Sequence, residues 1–121
     1  MKVLKCKSCG AVIVPIKDCK CPCGFECCDE KMVEVIPNSV DANVEKHVPD
    51  YVIDEHNIEI KVNHVMEEDH YIEWVAMESN NKTFIRYFEP GEEADVVFEY
   101  LPGSTLYSYC NKHGLWKIVV E

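Results

Sequence analysis

Two groups of side chains in this sequence have the chemistry to hold metal ions. The first is a set of thiols. Of eight cysteines, seven fall within the first 28 residues: Cys6, Cys9, Cys19, Cys21, Cys23, Cys27 and Cys28. The first residues, Met1 to Cys6, lack the apolar region of a signal peptide, so the chain is expected in the cytoplasm, where clustered cysteines are metal ligands more often than disulfides. An odd number crowded at one end also fits disulfides poorly. The second group is built from histidines and the eighth cysteine. Cys110-Asn111-Lys112-His113-Gly114 sets a thiol and an imidazole across a short turn, and the glycine frees the backbone where ligands converge. His64 and His70 flank the polar stretch Val65-Met66-Glu67-Glu68-Asp69. Imidazole and thiolate suit iron, zinc and copper. Four histidines and one cysteine exceed a closed tetrahedral zinc site, and a five-ligand set leaves a position open for a small substrate.

Elements must bring these groups together. Ile58, Ile60 and Val62 share one face of a strand, and His64 continues that parity if the strand runs on. Ile72, Trp74 and Ala76 alternate with Glu73 and Val75. Asn80-Asn81 marks a turn before Thr83 to Phe88; Pro90-Gly91 ends that strand, and Ala94 to Tyr100 forms the next. Leu106 to Cys110 follows Pro102-Gly103, and Trp116, Ile118 and Val120 alternate to the end. No helical period is evident. Short strands at about ten-residue spacing predict an all-β antiparallel sandwich or barrel. Composition shifts near Pro37, and the predicted domains are 1–37 and 38–121, with Pro37 to Asn43 as a linker or turn. The first segment is too short to fold without a metal in place of a core.

Charge narrows the function. Twelve basic residues against 22 acidic ones give a net charge of −10, which argues against a nucleic-acid partner. No apolar run approaches the roughly 18 residues of a membrane helix. His56, between Asp54-Glu55 and Asn57, reads as a solvated turn histidine. Trp74 and Trp116 read as core residues that also shield a nearby metal.

Glu45-Lys46-His47-Val48-Pro49, then His64 and His70-Tyr71-Ile72-x-Trp74, then Cys110-Asn111-x-His113-Gly114-x-Trp116, resemble the superoxide reductases. Cys6-x-x-Cys9-Gly10 followed by Cys27-Cys28-x-Glu30-x-Met32 resembles desulforedoxin, and the whole chain resembles the two-iron form, desulfoferrodoxin. The resemblance implies a desulforedoxin-like N-terminal domain followed by an immunoglobulin-like β-sandwich. It implies an iron held by His47, His64, His70 and His113, with Cys110 as axial thiolate. A second iron, or zinc in its place, is implied on Cys6, Cys9, Cys27 and Cys28. Glu45 and Lys46 match the loop beside the open coordination position. The chain departs from the family in a longer insert before Cys27, which carries Cys19, Cys21 and Cys23, and in Asp29, where a glycine usually follows the cysteine pair. The three extra thiols either replace a ligand or decorate a longer hairpin tip.

The implied activity is one-electron reduction of superoxide to hydrogen peroxide, with rubredoxin as expected donor and a homodimer as expected assembly. Zinc cannot supply the electron, and Lys46 counters the global negative charge by attracting the anion. A superoxide dismutase, a non-catalytic iron electron carrier and a structural zinc module are the competing readings.

Overall fold

Ile58, Ile60 and Val62 are buried and alternate with exposed Glu59 and Lys61, as in a strand with one face on a core. The pattern recurs along the chain, whose computed structural model describes every residue from Met1 to Glu121. There are two compact units, Met1–Ile36 and Pro37–Glu121. No helix is long and apolar enough to cross a membrane.

The first unit carries two-residue strands β1 (Leu4–Lys5), β2 (Val12–Ile13), β3 (Glu26–Cys27), β4 (Glu30–Lys31) and β5 (Val33–Glu34). β1 pairs antiparallel with β2 and with β5, and β3 pairs with β4. Leu4, Cys6 and Met32 are its buried cluster, too few to fold a unit without a cross-link. Cys28-Asp29 is the two-residue loop of the β3–β4 hairpin, with φ of 54° and 60°. A type I′ turn needs positive φ at both positions, and aspartate tolerates it better than most residues. This is how Asp29 stands where the family has glycine.

The second unit contains α1 (Val44–His47), β6 (Asp50–Asp54), β7 (Asn57–Lys61), β8 (Ile72–Glu78), β9 (Thr83–Tyr87), β10 (Asp95–Glu99), β11 (Thr105–Cys110) and β12 (Gly114–Val119). One sheet has the order β10-β7-β6 and the other β12-β11-β8-β9, all antiparallel. Ile58 and Ile60 from the first sheet, with Val62 just after β7, share a core with Val75, Met77, Leu106 and Cys110 from the second. Phe84 and Phe98 stack between the sheets, centroids 5.3 Å apart. This is the expected all-β, immunoglobulin-like sandwich.

Three local expectations need correction. A helix does form: α1 is one turn long, started by Asn43, whose side chain accepts the Glu45 N–H at 3.0 Å. Four residues are too few for a readable period. The strand of Ile58 stops at Lys61, so His64 lies beyond it, in a tight turn where its N–H donates to the Val62 carbonyl (2.9 Å). Finally, Ile72, Trp74 and Ala76 do not share a face. Tyr109 pairs with Trp74 while Cys110 pairs with Ile72, leaving Glu73 as an extra residue. That bulge reverses the parity: Ile72, Val75 and Met77 join the core, while Trp74 stacks on Tyr109 (5.4 Å, 1° between planes). The segment from Pro37 to Asn43 is irregular, as expected, but Asn38 is fastened to β12. Its side chain donates to the Lys117 carbonyl (3.2 Å) and accepts the Lys117 N–H (2.9 Å).

Candidate metal centres

In the second unit, His47, His64, His70, Cys110 and His113 gather so that their ligating atoms all lie within 4.8 Å of one another. Each comes from a different kind of local structure. His47 ends α1, His64 sits in the turn after β7, and His70 closes the tight turn Glu67–His70, held by paired backbone bonds of 3.0 and 3.2 Å. Cys110 ends β11, and His113 sits in the turn before β12.

The four imidazoles form a closed ring. Neighbouring centroids lie 4.8 Å apart for His47–His64, 4.6 Å for His64–His70, 5.2 Å for His70–His113 and 4.9 Å for His47–His113. Successive planes are turned by 69°, 90°, 72° and 88°. Four rings bound to one ion at about 2.1 Å, with centroids roughly 3.2 Å from it, would have neighbouring centroids roughly 4.5 Å apart at the corners of a square. The buried Cys110 Sγ approaches His64 Nε2 (3.4 Å) and His113 Nδ1 (3.8 Å).

The outer nitrogens of two of the four rings have backbone partners. His47 Nδ1 lies 2.7 Å from the Asn43 carbonyl, and His64 Nδ1 lies 2.5 Å from the Val65 carbonyl. Those carbonyls accept an Nδ1–H, which fixes the tautomer and turns each bare Nε2 inward. Burial lowers the pKa of both His47 and His64, with the other imidazoles adding to the effect in each case. The rings are thereby kept neutral, as ligation requires. The Nε2 atom of His70 is buried and has no hydrogen-bond partner. Orphaned buried nitrogens are rare, and a cation at the centre of the ring satisfies this one. The residues therefore fit a metal with four nitrogen donors and one thiolate.

In the first unit, Cys6, Cys9, Cys27 and Cys28 form a second group, again with sulfurs within 4.8 Å of one another. Cys9 Sγ and Cys27 Sγ are 3.6 Å apart, and Cys27 Sγ and Cys28 Sγ are 3.9 Å apart. A tetrahedron with metal–sulfur bonds of about 2.3 Å has edges of roughly 3.8 Å. The Cys9 N–H, 3.5 Å from Cys6 Sγ, helps lower the Cys6 thiol to about 7. Cys27 is pushed up to about 12, first by its hydrogen bond with Cys6 and then by those with Cys9 and Cys28. Several thiolates this close resist joint ionisation, a conflict that a cation removes. Cys19, Cys21 and Cys23 replace none of these ligands: Cys21 and Cys23 are joined as a disulfide, and Cys19 is a separate free thiol.

The remaining sequence candidates lie at different places in the second unit. Glu45 and Lys46 are both exposed on α1. Lys46 lines an open cavity of about 610 Å³ together with His64, Asn63, Val65, Met66 and Lys61. His56 is exposed in the β6–β7 turn and belongs to neither group. Trp116 does cover the site, stacking on His47 (5.0 Å, 26°) and donating its Nε1–H to the His113 carbonyl (3.1 Å). Trp74 is buried as expected, but on the face of β8 opposite the inter-sheet core, where it stacks on Tyr109.

Several supports were not legible from sequence. Ser108, fully buried, donates its hydroxyl to the His47 carbonyl. Asn111 bridges the two ligand loops: its side chain accepts the Tyr71 N–H (3.0 Å) and donates to the Asp69 carbonyl (3.0 Å). The only forewarning of Asn111 was its position inside the Cys110–His113 motif.

Comparison with known proteins agrees with this geometry. The family model described as desulfoferrodoxin matches residues 39–119. The desulfoferrodoxin of Syntrophotalea carbinolica is 35% identical, over 96% of this chain and 94% of that protein. The solved superoxide reductase from Treponema pallidum is similar with a TM-score of 0.71 and 25% identity, covering 95% of this chain and 98% of its own. The superoxide reductase (1Fe-SOR) from Giardia intestinalis is similar with a TM-score of 0.56 and 26% identity, over 64% of this chain and 98% of its own.

Proposed function

The chain belongs to the desulfoferrodoxin family, and from that membership we propose that it is a superoxide reductase acting at the histidine–cysteine centre. The observation that carries the reading is the closed ring of His47, His64, His70 and His113 with Cys110 beside it. Iron held by these five residues would supply the single electron that, with two protons, converts superoxide to hydrogen peroxide. Zinc would fit the donors but offers no electron.

The protein's own groups have distinct tasks. The carbonyls of Asn43 and Val65 hold His47 and His64 as neutral Nε2 donors. Cys110 contributes a buried negative donor that favours the oxidised state of the metal it binds, which makes electron release easier. Neutral imidazoles leave the centre with net positive charge, so an anion is drawn to it although the whole chain is acidic. We assign Lys46 the role of attracting superoxide, a role supported by its lining the cavity that also contains His64. Glu45, its neighbour on α1, is assigned the role of a hard carboxylate suited to the ferric state.

The first unit is assigned as a desulforedoxin-like domain, residues 1–37, and the remainder, 38–121, as the catalytic domain. Each turnover would leave a bound iron oxidised, so an external donor would have to restore it; a rubredoxin-like protein is the proposed donor. A homodimer is the proposed assembly, and the cytoplasm is the proposed compartment, because reduced thiols in number need a reducing environment. Superoxide consumption measured with and without an external reductant tests the reading. Sustained turnover only with reductant supports it; equal turnover without reductant refutes it.

A further inference from the structure

The cysteines that neither centre uses lie together on one exposed loop. Cys21 and Cys23 are bridged, and both are exposed; Cys19 is a free, half-buried thiol on the same loop. A bridge across a single intervening residue, Pro22, removes little chain entropy from the unfolded state, so its structural value is small. Exposed disulfides of this kind are the ones that exchange. The loop is also built around the bridge. Gly24 N–H donates to the Cys21 carbonyl (3.2 Å), and the Lys31 ammonium donates to the Pro22 carbonyl between the two sulfurs' residues (3.1 Å). Gly24 has φ of +69°, and a Cβ there would meet the Lys31 stem at 3.0 Å.

We propose that Cys21 and Cys23 are a thiol–disulfide exchange site whose substrates are small thiols and dithiols, independent of the chemistry at either metal centre. The Cys23 N–H points at Cys21 Sγ (3.2 Å) and favours charge there, so Cys21 is the leaving sulfur and Cys23 the attacked one. A thiolate of the reductant bonds to Cys23 Sγ as the Cys21–Cys23 bond breaks, and Cys21 departs as a thiolate and takes up a proton. The reductant's second thiolate then displaces Cys23, which is protonated in turn, and the reductant closes its own disulfide. Two electrons and two protons pass to the protein. The reverse sequence, with the oxidised dithiol as oxidant, restores the bridge.

The test uses the full-length, metal-loaded protein equilibrated in graded ratios of reduced to oxidised dithiothreitol, then trapped by alkylation. The expected result is a single transition in which two labels appear together, mapping to Cys21 and Cys23, while the absorption of both metal centres stays constant. Cys19→Ser should keep this transition, and Cys21→Ser should abolish it. The proposal is overturned if Cys21 and Cys23 label at every ratio, if they label only after metal is lost, or if the two-label transition survives in Cys21→Ser.

Discussion

The indole of Trp116 lies against the imidazole of His47 with centroids 5.0 Å apart and planes 26° from parallel. The same indole donates its Nε1–H to the carbonyl of His113 at 3.1 Å. One residue of β12 thereby holds two ligands that are 66 positions apart. Trp116→Phe keeps much of the stacking but leaves a carbonyl without its donor and a gap beside His47. The expected cost is about 2 kcal/mol in the stability of the second unit, read as a lower urea midpoint. Faster metal loss to a chelator should accompany it. An unchanged midpoint and unchanged metal release would show that Trp116 is a passive neighbour.

The histidines set a pH dependence for the metal-free protein. Burial lowers the pKa of His47 and His64 in the folded chain, so the unfolded chain binds more protons at mildly acid pH. Their contribution to stability is complete above the ordinary imidazole value of about 6.5. It is lost as pH falls through the lowered folded values. Urea midpoints of the metal-free protein should therefore drop below about pH 6.5, and a His47→Gln, His64→Gln double variant should show a flatter curve. A wild-type midpoint that rises on acidification contradicts this assignment.

The two ligand groups share no residue, which predicts separable metals. Replacing Cys27 and Cys28 together by Ser should remove one metal per chain, measured by elemental analysis, and leave superoxide consumption largely intact. Loss of both metals and of activity would mean that the first unit is required to keep the second folded.

Much of this arrangement was legible in the sequence, for identifiable reasons. Ligand identity came through because thiols and imidazoles are chemically rare and their motifs are local. Burial of Ile58, Ile60 and Val62 came through because a strand with one face on the core prints its period directly. The face of Trp74 did not, because a bulge at Glu73 changes parity without leaving any mark in apolar content. The helix holding His47 was missed because one turn is shorter than a helical period, although Asn43 followed by Glu45 is a capping signal. Ser108 and Asn111 act through contacts distant in sequence, Ser108 with His47 and Asn111 with Asp69 and Tyr71, and polar residues of such ordinary type announce nothing alone.

Lys46 provides a kinetic prediction. A unit charge about 6 Å from the anion, at an effective dielectric of roughly 40, contributes on the order of 1.4 kcal/mol. Lys46→Ala should slow the second-order reaction with superoxide by roughly tenfold at low salt and flatten its decline with ionic strength. Pulse radiolysis across a salt series reads both quantities. If the rate and its salt dependence stay as in the wild type, Lys46 is an ordinary surface lysine.

The central claim is that the ring of four histidines with Cys110 reduces superoxide without oxidising any of it. The most direct measurement is the yield of hydrogen peroxide and dioxygen from a known dose of superoxide, with reductant present and Cys110→Ser as the control. Peroxide matching the superoxide consumed, with dioxygen far below the half-equivalent that spontaneous dismutation gives in the control, is the predicted result. Dioxygen evolved at half the superoxide consumed would identify a dismutase and contradict the account.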